Sequence, residues 1–302
     1  MSFRQVIVNS AEYLSLDHNS LVAVYNDDKT KIPIEDIAII LIENNRTSIT
    51  VDLINKCTEN NIVIITCNKR KFPQSIIMPM INHYRYLENT YMQLEMNTVK
   101  KQNLWREITK MKIGSQSKIL QLCDCHIDDI EELEVLKKEV QRNDSTNREA
   151  VAAKVFFSSI HGDEFKRFTD TNINAALNYG YTVLVSSIVR QLVSFGLDPK
   201  LGFWHSSKSN NLNLAYDLVE PFRPVVDYYI FKHYEEVIDG LSPFVRRGLV
   251  SLLNANVEVE GDLYKLQNAI ELFVKRIMQI IRKEKENLLA IDFIKIKFYE
   301  LQ

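Results

Sequence analysis

Hydrophobic positions in the first eighty or so residues fall in short, β-branched runs at roughly even spacing, separated by polar stretches. Gln5-Val6-Ile7-Val8, Tyr13-Leu14-Ser15-Leu16, Leu21-Val22-Ala23-Val24-Tyr25 and Ile37-Ala38-Ile39-Ile40-Leu41-Ile42 each predict a strand. Turn-forming Asn26-Asp27-Asp28 and Asn44-Asn45 punctuate them. One helix is expected at about 50–60, with Val51, Leu53, Ile54 and Cys57 on a single face, feeding a buried strand Ile62-Val63-Ile64-Ile65-Thr66.

Near His83 the period changes. Tyr84, Leu87, Tyr91, Leu94 and Met96 mark a helical face, and helices are predicted over roughly 83–111, 115–123, 128–141, 146–160, 171–195, 212–237 and 262–287. No comparable strand pattern follows until Phe293-Ile294-Lys295-Ile296-Lys297-Phe298, a run too short to separate helix from strand. Pro73 and Pro79 disfavour both helix and central strand, which puts a linker at about 72–82. The expected fold class is therefore α+β. Residues 1–78 form a small β-rich domain with one helix, and 83–302 form a larger all-α domain.

Composition narrows the class without naming a function. Hydrophobic residues make up 46% and charged residues 25% of 302, the balance of a globular chain. Met1-Ser2-Phe3-Arg4-Gln5 leads into alternation rather than a signal-peptide core, and runs such as 62–66 and 182–189 fall short of a membrane span. A cytoplasmic protein with no membrane contact is expected. Cys57, Cys67, Cys123 and Cys125 read as reduced thiols. Cys123-Asp124-Cys125-His126 lacks the second ligand pair a structural zinc site takes, so free thiols near a helix end are the simpler reading. The formal net charge of −2 is unlike that of most stand-alone nucleic-acid binders. Any DNA contact must use local basic patches or surfaces combined by oligomerisation.

Three places put metal-type ligands in unusual settings. Glu149 opens a helix in Thr146-Asn147-Arg148-Glu149, where an ordinary capping box between Thr146 and Glu149 is the bland alternative. His205 stands between Gly202-Phe203-Trp204 and a Ser/Lys/Asn-rich loop, a border where packing can hold the ring while one nitrogen faces a cleft. Asp217 and Glu220, three apart, share a helix face, and their repulsion calls for a metal, a proton or an arginine such as Arg223. Pro221 and Pro224 would deprive the Asp217 and Glu220 carbonyls of their helical donors, interrupting the helix beside the two acids. Carboxylates with one imidazole and no thiolate suit Mg²⁺ or Mn²⁺ better than structural zinc. A non-haem iron site would need a second histidine, for which His161 and His233 are available.

Four blocks in order carry a resemblance: Asn147-Arg148-Glu149; Asn174-Ala175-Ala176-Leu177-Asn178-Tyr179-Gly180-Tyr181; Gly196-Leu197-Asp198-Pro199 through Gly202-Phe203-Trp204-His205; and Leu214-Ala215-Tyr216-Asp217-Leu218-Val219-Glu220-Pro221-Phe222-Arg223-Pro224. Together they resemble the CRISPR-associated spacer integrase, the metal-dependent nuclease subunit of the adaptation complex, in its type II branch. The resemblance implies a dimerising N-terminal β domain and a helical C-terminal domain holding the active site. It makes Glu149, His205 and Glu220 the metal ligands, Asp217 a neighbour or water-mediated ligand, and Asn178 and Tyr181 supporting residues. The implied reaction joins the 3′-hydroxyl ends of short captured double-stranded DNA to a CRISPR repeat. The implied assembly joins two homodimers to one dimer of a small ferredoxin-like partner. Lys100, Lys101, Arg106, Lys110, Arg246, Arg247, Lys275, Arg276, Arg282 and Lys283 are candidates for a DNA track, each equally readable as part of a solvated face. A non-catalytic helical DNA-binding scaffold is the alternative.

Overall fold

The structure, a computed structural model, describes residues 4–79 and 83–287 and the backbone path of 291–297. The N-terminal part holds β1 (Arg4–Val8), β2 (Tyr13–Asp17), β3 (Ser20–Tyr25), β4 (Asp28–Pro33), β5 (Ile37–Ile42), β6 (Ser48–Ile49), α1 (Val51–Glu59), β7 (Val63–Cys67) and β8 (Pro73–Ile77). One sheet has the order β1-β5-β7-β8, parallel except for β8, and the other has the order β4-β3-β2-β6. Every residue of β5 is buried, because both of its faces are covered. Ile37, Ile40 and Ile42 join Leu14, Leu21, Leu53 and Cys57 in one core. Ala38, Ile39 and Leu41 join the much larger core of the helical half. Burial on two faces explains why β5 reads as an unbroken apolar run instead of an alternating one.

The expected linker is shorter than its composition suggests. Pro73–Ile77 pairs antiparallel with β7, and Pro73 is tolerated because β8 is an edge strand with a register irregularity at Cys67. Residues 80–82 of that span lie outside the described residues.

The helical half contains α2 (Tyr86–Glu95), α3 (Thr98–Leu122), α4 (Ile127–Glu139), α5 (Arg148–His161), α6 (Asn172–Ser194), α7 (Asn213–Val219), α8 (Arg223–Lys232), α9 (Tyr234–Ile238), α10 (Pro243–Ser251), β9 (Asn256–Val259), β10 (Asp262–Lys265), α11 (Leu266–Ile281) and β11 (Ile291–Lys297). The predicted 83–111 helix breaks at Asn97, whose side chain caps α3 by accepting from the Lys100 amide at 2.8 Å. The 115–123 segment is the continuation of α3, which runs through Gly114 without a break. Strands β9 and β10 qualify the all-α expectation. Glu260 and Gly261 both take positive φ, the geometry of a tight hairpin turn, so the last long helix starts at Leu266 and not near 262. The tail resolves as a strand on β9, with Phe298 outside the described residues.

The two halves are locked by a buried ion pair. Glu43, at the end of β5 and 1% exposed, accepts from Arg246 of α10 at 2.7 and 3.0 Å and from the Tyr179 hydroxyl of α6 at 3.2 Å. Arg246 is thereby a structural residue and drops out of the candidate DNA track.

Candidate active site

The three sequence-predicted ligands line one cleft of about 790 Å³, together with Lys112, Phe168 and Tyr181. They reach it from separate elements. Glu149 stands in the first turn of α5, Glu220 opens the tight turn Glu220–Phe222 between α7 and α8, and His205 comes from the loop after α6. The predicted interruption at Pro221 is present, and it turns Glu220, 3% exposed, into the cleft.

The Thr146–Glu149 capping box does not form. Asn147 takes a left-handed conformation, and the Asp144 carboxylate caps α5 instead, accepting from the Arg148 and Glu149 amides at 2.8 and 3.0 Å. That arrangement satisfies the helix start and frees the Glu149 side chain for the cleft.

Asp217 holds the histidine loop. It is fully buried and accepts from the Phe203 amide at 2.5 Å and the Trp204 and His205 amides at 3.0 Å. Its Oδ1 also lies 2.7 Å from His205 Nδ1. A carboxylate so saturated is an anchor, and it commits Nδ1 to itself, which leaves Nε2 as the histidine's free nitrogen. The Asp217 hydrogen bond raises the His205 pKa above the ordinary imidazole range, against the opposing effect of burial. The ring is steadied by Trp105, edge-on at 5.9 Å, and Trp105 in turn stacks on Trp204 at 5.5 Å. Gly202 is required here, since a β-carbon would collide with the His205 carbonyl and the Asp217 carboxylate.

The negative charge is balanced by one residue the sequence did not single out, Lys112, and by one it did, Arg223. Lys112 of α3 is buried, with Nζ 2.6 Å from Glu149 Oε1 and 2.5 Å from Glu220 Oε2. Arg223 Nη2 lies 3.1 Å from Glu220 Oε1. Burial opposes ionisation of Glu220, but Arg223 and Lys112 outweigh it and hold the carboxyl below its usual range. Burial likewise opposes the Lys112 charge, and Glu220 and Glu149 overcome it, holding that pKa above the usual lysine range. Beside them Tyr181 donates to both oxygens of Asp227 at 3.0 Å, and burial pushes the Asp227 carboxyl up to about 7. The Arg223 and Arg167 guanidinium carbons lie 4.9 and 5.4 Å from the Tyr181 ring centre. Asn178 braces Arg167, accepting from Nη2 at 2.7 Å. Phe168, 90% exposed, projects at the rim.

Two carboxylates and one imidazole nitrogen are a donor set that fits a hard divalent ion. Glu220 Oε2 is buried with no aligned hydrogen-bond donor, because the Lys112 contact is close but poorly directed. Among the described residues no three carboxylate, imidazole or thiolate groups already meet at metal-binding distance. The Lys112 ammonium stands between the two acids, so an ion would have to displace it.

The two histidines of the iron alternative are packing residues. His161 lies 4.5 Å from the Phe165 ring and burial lowers its pKa to about 4, while His233 lies 4.4 Å from the Tyr229 ring. Cys123 is a buried thiol pushed up to about 12, and His126 faces Asp128 at 3.3 Å.

The fold thus joins a β-rich part of two four-stranded sheets to a helical part that holds a carboxylate–imidazole cleft. The chain belongs to the family described as CRISPR associated protein Cas1, whose sequence model matches residues 6–258. The CRISPR-associated endonuclease Cas1 of Neisseria meningitidis serogroup C is 31% identical over 307 residues, covering all of both chains. Among solved structures, a casposase bound to its integration product superposes with a TM-score of 0.76 at 20% identity, covering 99% of this chain and 95% of that one. The Cas6-RT-Cas1–Cas2 complex superposes with a TM-score of 0.70 at 17% identity, covering 99% of this chain and 36% of that one. No helix among the described residues is long and apolar enough to cross a membrane.

Proposed function

We propose that this chain is a divalent-metal-dependent DNA endonuclease and integrase that joins short captured DNA to a CRISPR repeat. The observation that carries the reading is the convergence of Glu149, His205 and Glu220 on one cleft from three separate segments. Those three residues would hold Mg²⁺ or Mn²⁺, which when bound supplies Lewis-acid polarisation of a phosphoryl oxygen and steadies the attacking and leaving oxygens.

The chain's own residues do the rest. Asp217 fixes the His205 tautomer so that Nε2 is the free nitrogen. Arg223 puts positive charge beside the place where a phosphodiester gains negative charge in its transition state, and Lys112, once displaced from between the two acids by an ion, would add to it. Asp227 and Tyr181 form the floor beside them. In the joining step a 3′-hydroxyl oxygen of the captured duplex bonds to phosphorus at the repeat edge. The attacking hydroxyl gives up its proton, the bridging P–O bond there breaks, and the departing 3′-oxygen takes up a proton in turn. One phosphodiester replaces another, so no energy source is needed. Water in place of the hydroxyl gives hydrolysis, and the reverse direction releases branched DNA. Phe168 offers an unpaired base a stacking face at the rim.

The β-rich domain 1–78 is assigned to homodimerisation and the helical domain 83–302 to catalysis, in the cytoplasm. Two homodimers would flank one dimer of a small ferredoxin-like partner. A non-catalytic scaffold remains the second reading, and it draws on Lys112, which already pairs both acids.

Branched DNA carrying a labelled junction tests the proposal. Wild type is expected to resolve it with Mn²⁺ or Mg²⁺ and to fail with EDTA. Resolution that persists in the Glu220→Gln variant would remove Glu220 from the chemistry.

A further inference from the structure

Lys112 fills the place an ion would take. Its Nζ stands 2.6 Å from Glu149 Oε1 and 2.5 Å from Glu220 Oε2. A small divalent ion bound to those oxygens lies at about 2.1 Å from each. An ammonium nitrogen and an ion that close to the same two atoms exclude one another. Charge points the same way. Glu149 and Glu220 are balanced by Lys112 and Arg223, so the four side chains are neutral together before any ion arrives. A divalent ion added to them would leave two uncompensated charges at a largely buried place, which is costly. Binding is therefore an exchange, in which the ammonium leaves as the ion enters.

The displaced ammonium needs an acceptor, since Lys112 is only 9% exposed. One turn further along α3 stands Gln116, 2% exposed and lining the same cleft. Its Oε1 is buried and meets no donor among the described residues. Buried amide oxygens are rarely left in that state, because it forfeits the hydrogen bond that water would supply. Residues four apart on a helix are neighbours, and helical side chains lean toward the N-terminus. Gln116 thus reaches back over the turn that carries Lys112, whose flexible four-carbon stem can swing from the acids to the amide. The Thr109 hydroxyl on the same helix is also unpartnered, but it does not line the cleft.

We propose that Lys112 is a tethered cation with two seats, between Glu149 and Glu220 until a divalent ion binds, and against Gln116 Oε1 once it has. This rests on the metal reading of the cleft and adds to it what governs entry of the ion. Lys112 competes with the ion for the two acids, and Gln116 eases the exchange by receiving the ammonium. Both are positioning residues, and their removal has opposite effects on the affinity for the ion.

The probe is Mn²⁺ alone, titrated into the full-length protein while unbound Mn²⁺ is read from its EPR signal. Lys112→Met removes the competitor and keeps most of the stem, so Mn²⁺ should bind at least about tenfold more tightly than to wild type. Gln116→Leu removes the receiving oxygen, and binding should weaken roughly tenfold, the contribution of one hydrogen bond to a charged group. With Lys112→Met already in place there is no ammonium to receive, and adding Gln116→Leu should change little. A lysine that merely packed the cleft would not tighten binding when cut back. Binding unchanged or weakened by Lys112→Met overturns the proposal, as does a Gln116→Leu effect of equal size with and without the lysine. Should Lys112→Met not fold, Gln116→Leu alone decides, and unchanged or tighter binding overturns the proposal. Glu149→Gln separates this from the metal reading. If it abolishes Mn²⁺ binding while Lys112→Met leaves binding as it was, only the exchange falls. If it leaves binding intact, or if wild type and Lys112→Met both fail to bind, the ion does not belong to this cleft and both readings fall.

Discussion

Replacing Asp217 with Asn keeps the side chain's shape and removes half of its capacity to accept. Four donors converge on this carboxylate, three loop amides and His205 Nδ1. An amide NH₂ must take the place of one oxygen, so two buried donors then face another donor. At about 1–2 kcal/mol for each donor left without an acceptor, Asp217→Asn should cost roughly 2–4 kcal/mol. In a chain of this size that corresponds to a fall in Tm of roughly 5–10 °C. The His205 ring also loses the bond that sets its tautomer, and joining should fall about 10–100-fold. The sign of the pH dependence is fixed. His205 has a raised folded-state pKa, so its pairing stabilises fully below the ordinary imidazole value and is lost as pH rises through the folded value. The variant's deficit in Tm should therefore be larger near about pH 5.5 than near about pH 9. Thermal melts across that range, with joining assays alongside, decide the matter. An unchanged Tm, or a deficit that grows with pH, would refute the anchoring role of Asp217.

Glu220→Gln should reduce joining by more than ~100-fold. DNA affinity, measured by fluorescence anisotropy, should change little, because one uncharged substitution inside the cleft leaves the exposed basic residues available to phosphates. Glu43→Ala leaves Arg246 buried without its bidentate partner and should cost about 3–5 kcal/mol in a denaturant melt. Asp144→Ala removes the cap of α5 and should cost about 1 kcal/mol. It should also slow joining, since the turn carrying Glu149 loosens.

Much of this arrangement is legible in the residues themselves. Strand β5 announces itself as a buried run, and Pro221 announces the break that turns Glu220 inward. Spacing alone leaves Glu149, His205 and Glu220 unconnected; only the resemblance carried by the four blocks implies one site, and the fold brings all three to one cleft. Lys112 was not legible, because a lysine inside a mixed helix gives no sign of being buried until α3, α5 and the Glu220 turn are packed together. Asp144 escaped for a different reason: the cap motif read at Thr146 is a common local pattern, and a left-handed Asn147 moves the cap upstream. Asp227, seven residues past Glu220, could have been found from helical spacing alone. The β9–β10 hairpin was hidden by strands of only four residues, although Glu260-Gly261 is a usable turn signal. The exposed face of α2 misled in the opposite sense, since its apolar spacing predicts burial that this chain alone does not provide.

In the proposed mechanism Glu149, His205 and Glu220 together hold the ion that promotes strand joining. It is tested most directly by transfer of a short duplex with free 3′-hydroxyls into a supercoiled plasmid carrying a CRISPR repeat, with the small partner present. The reaction is run with Mn²⁺, with Mg²⁺ and with EDTA, for wild type and His205→Ala. Joined product is expected with either metal, none with EDTA, and none with His205→Ala. Joining that is indifferent to EDTA or to His205→Ala, or no joining by an intact wild-type complex with either metal, would contradict it.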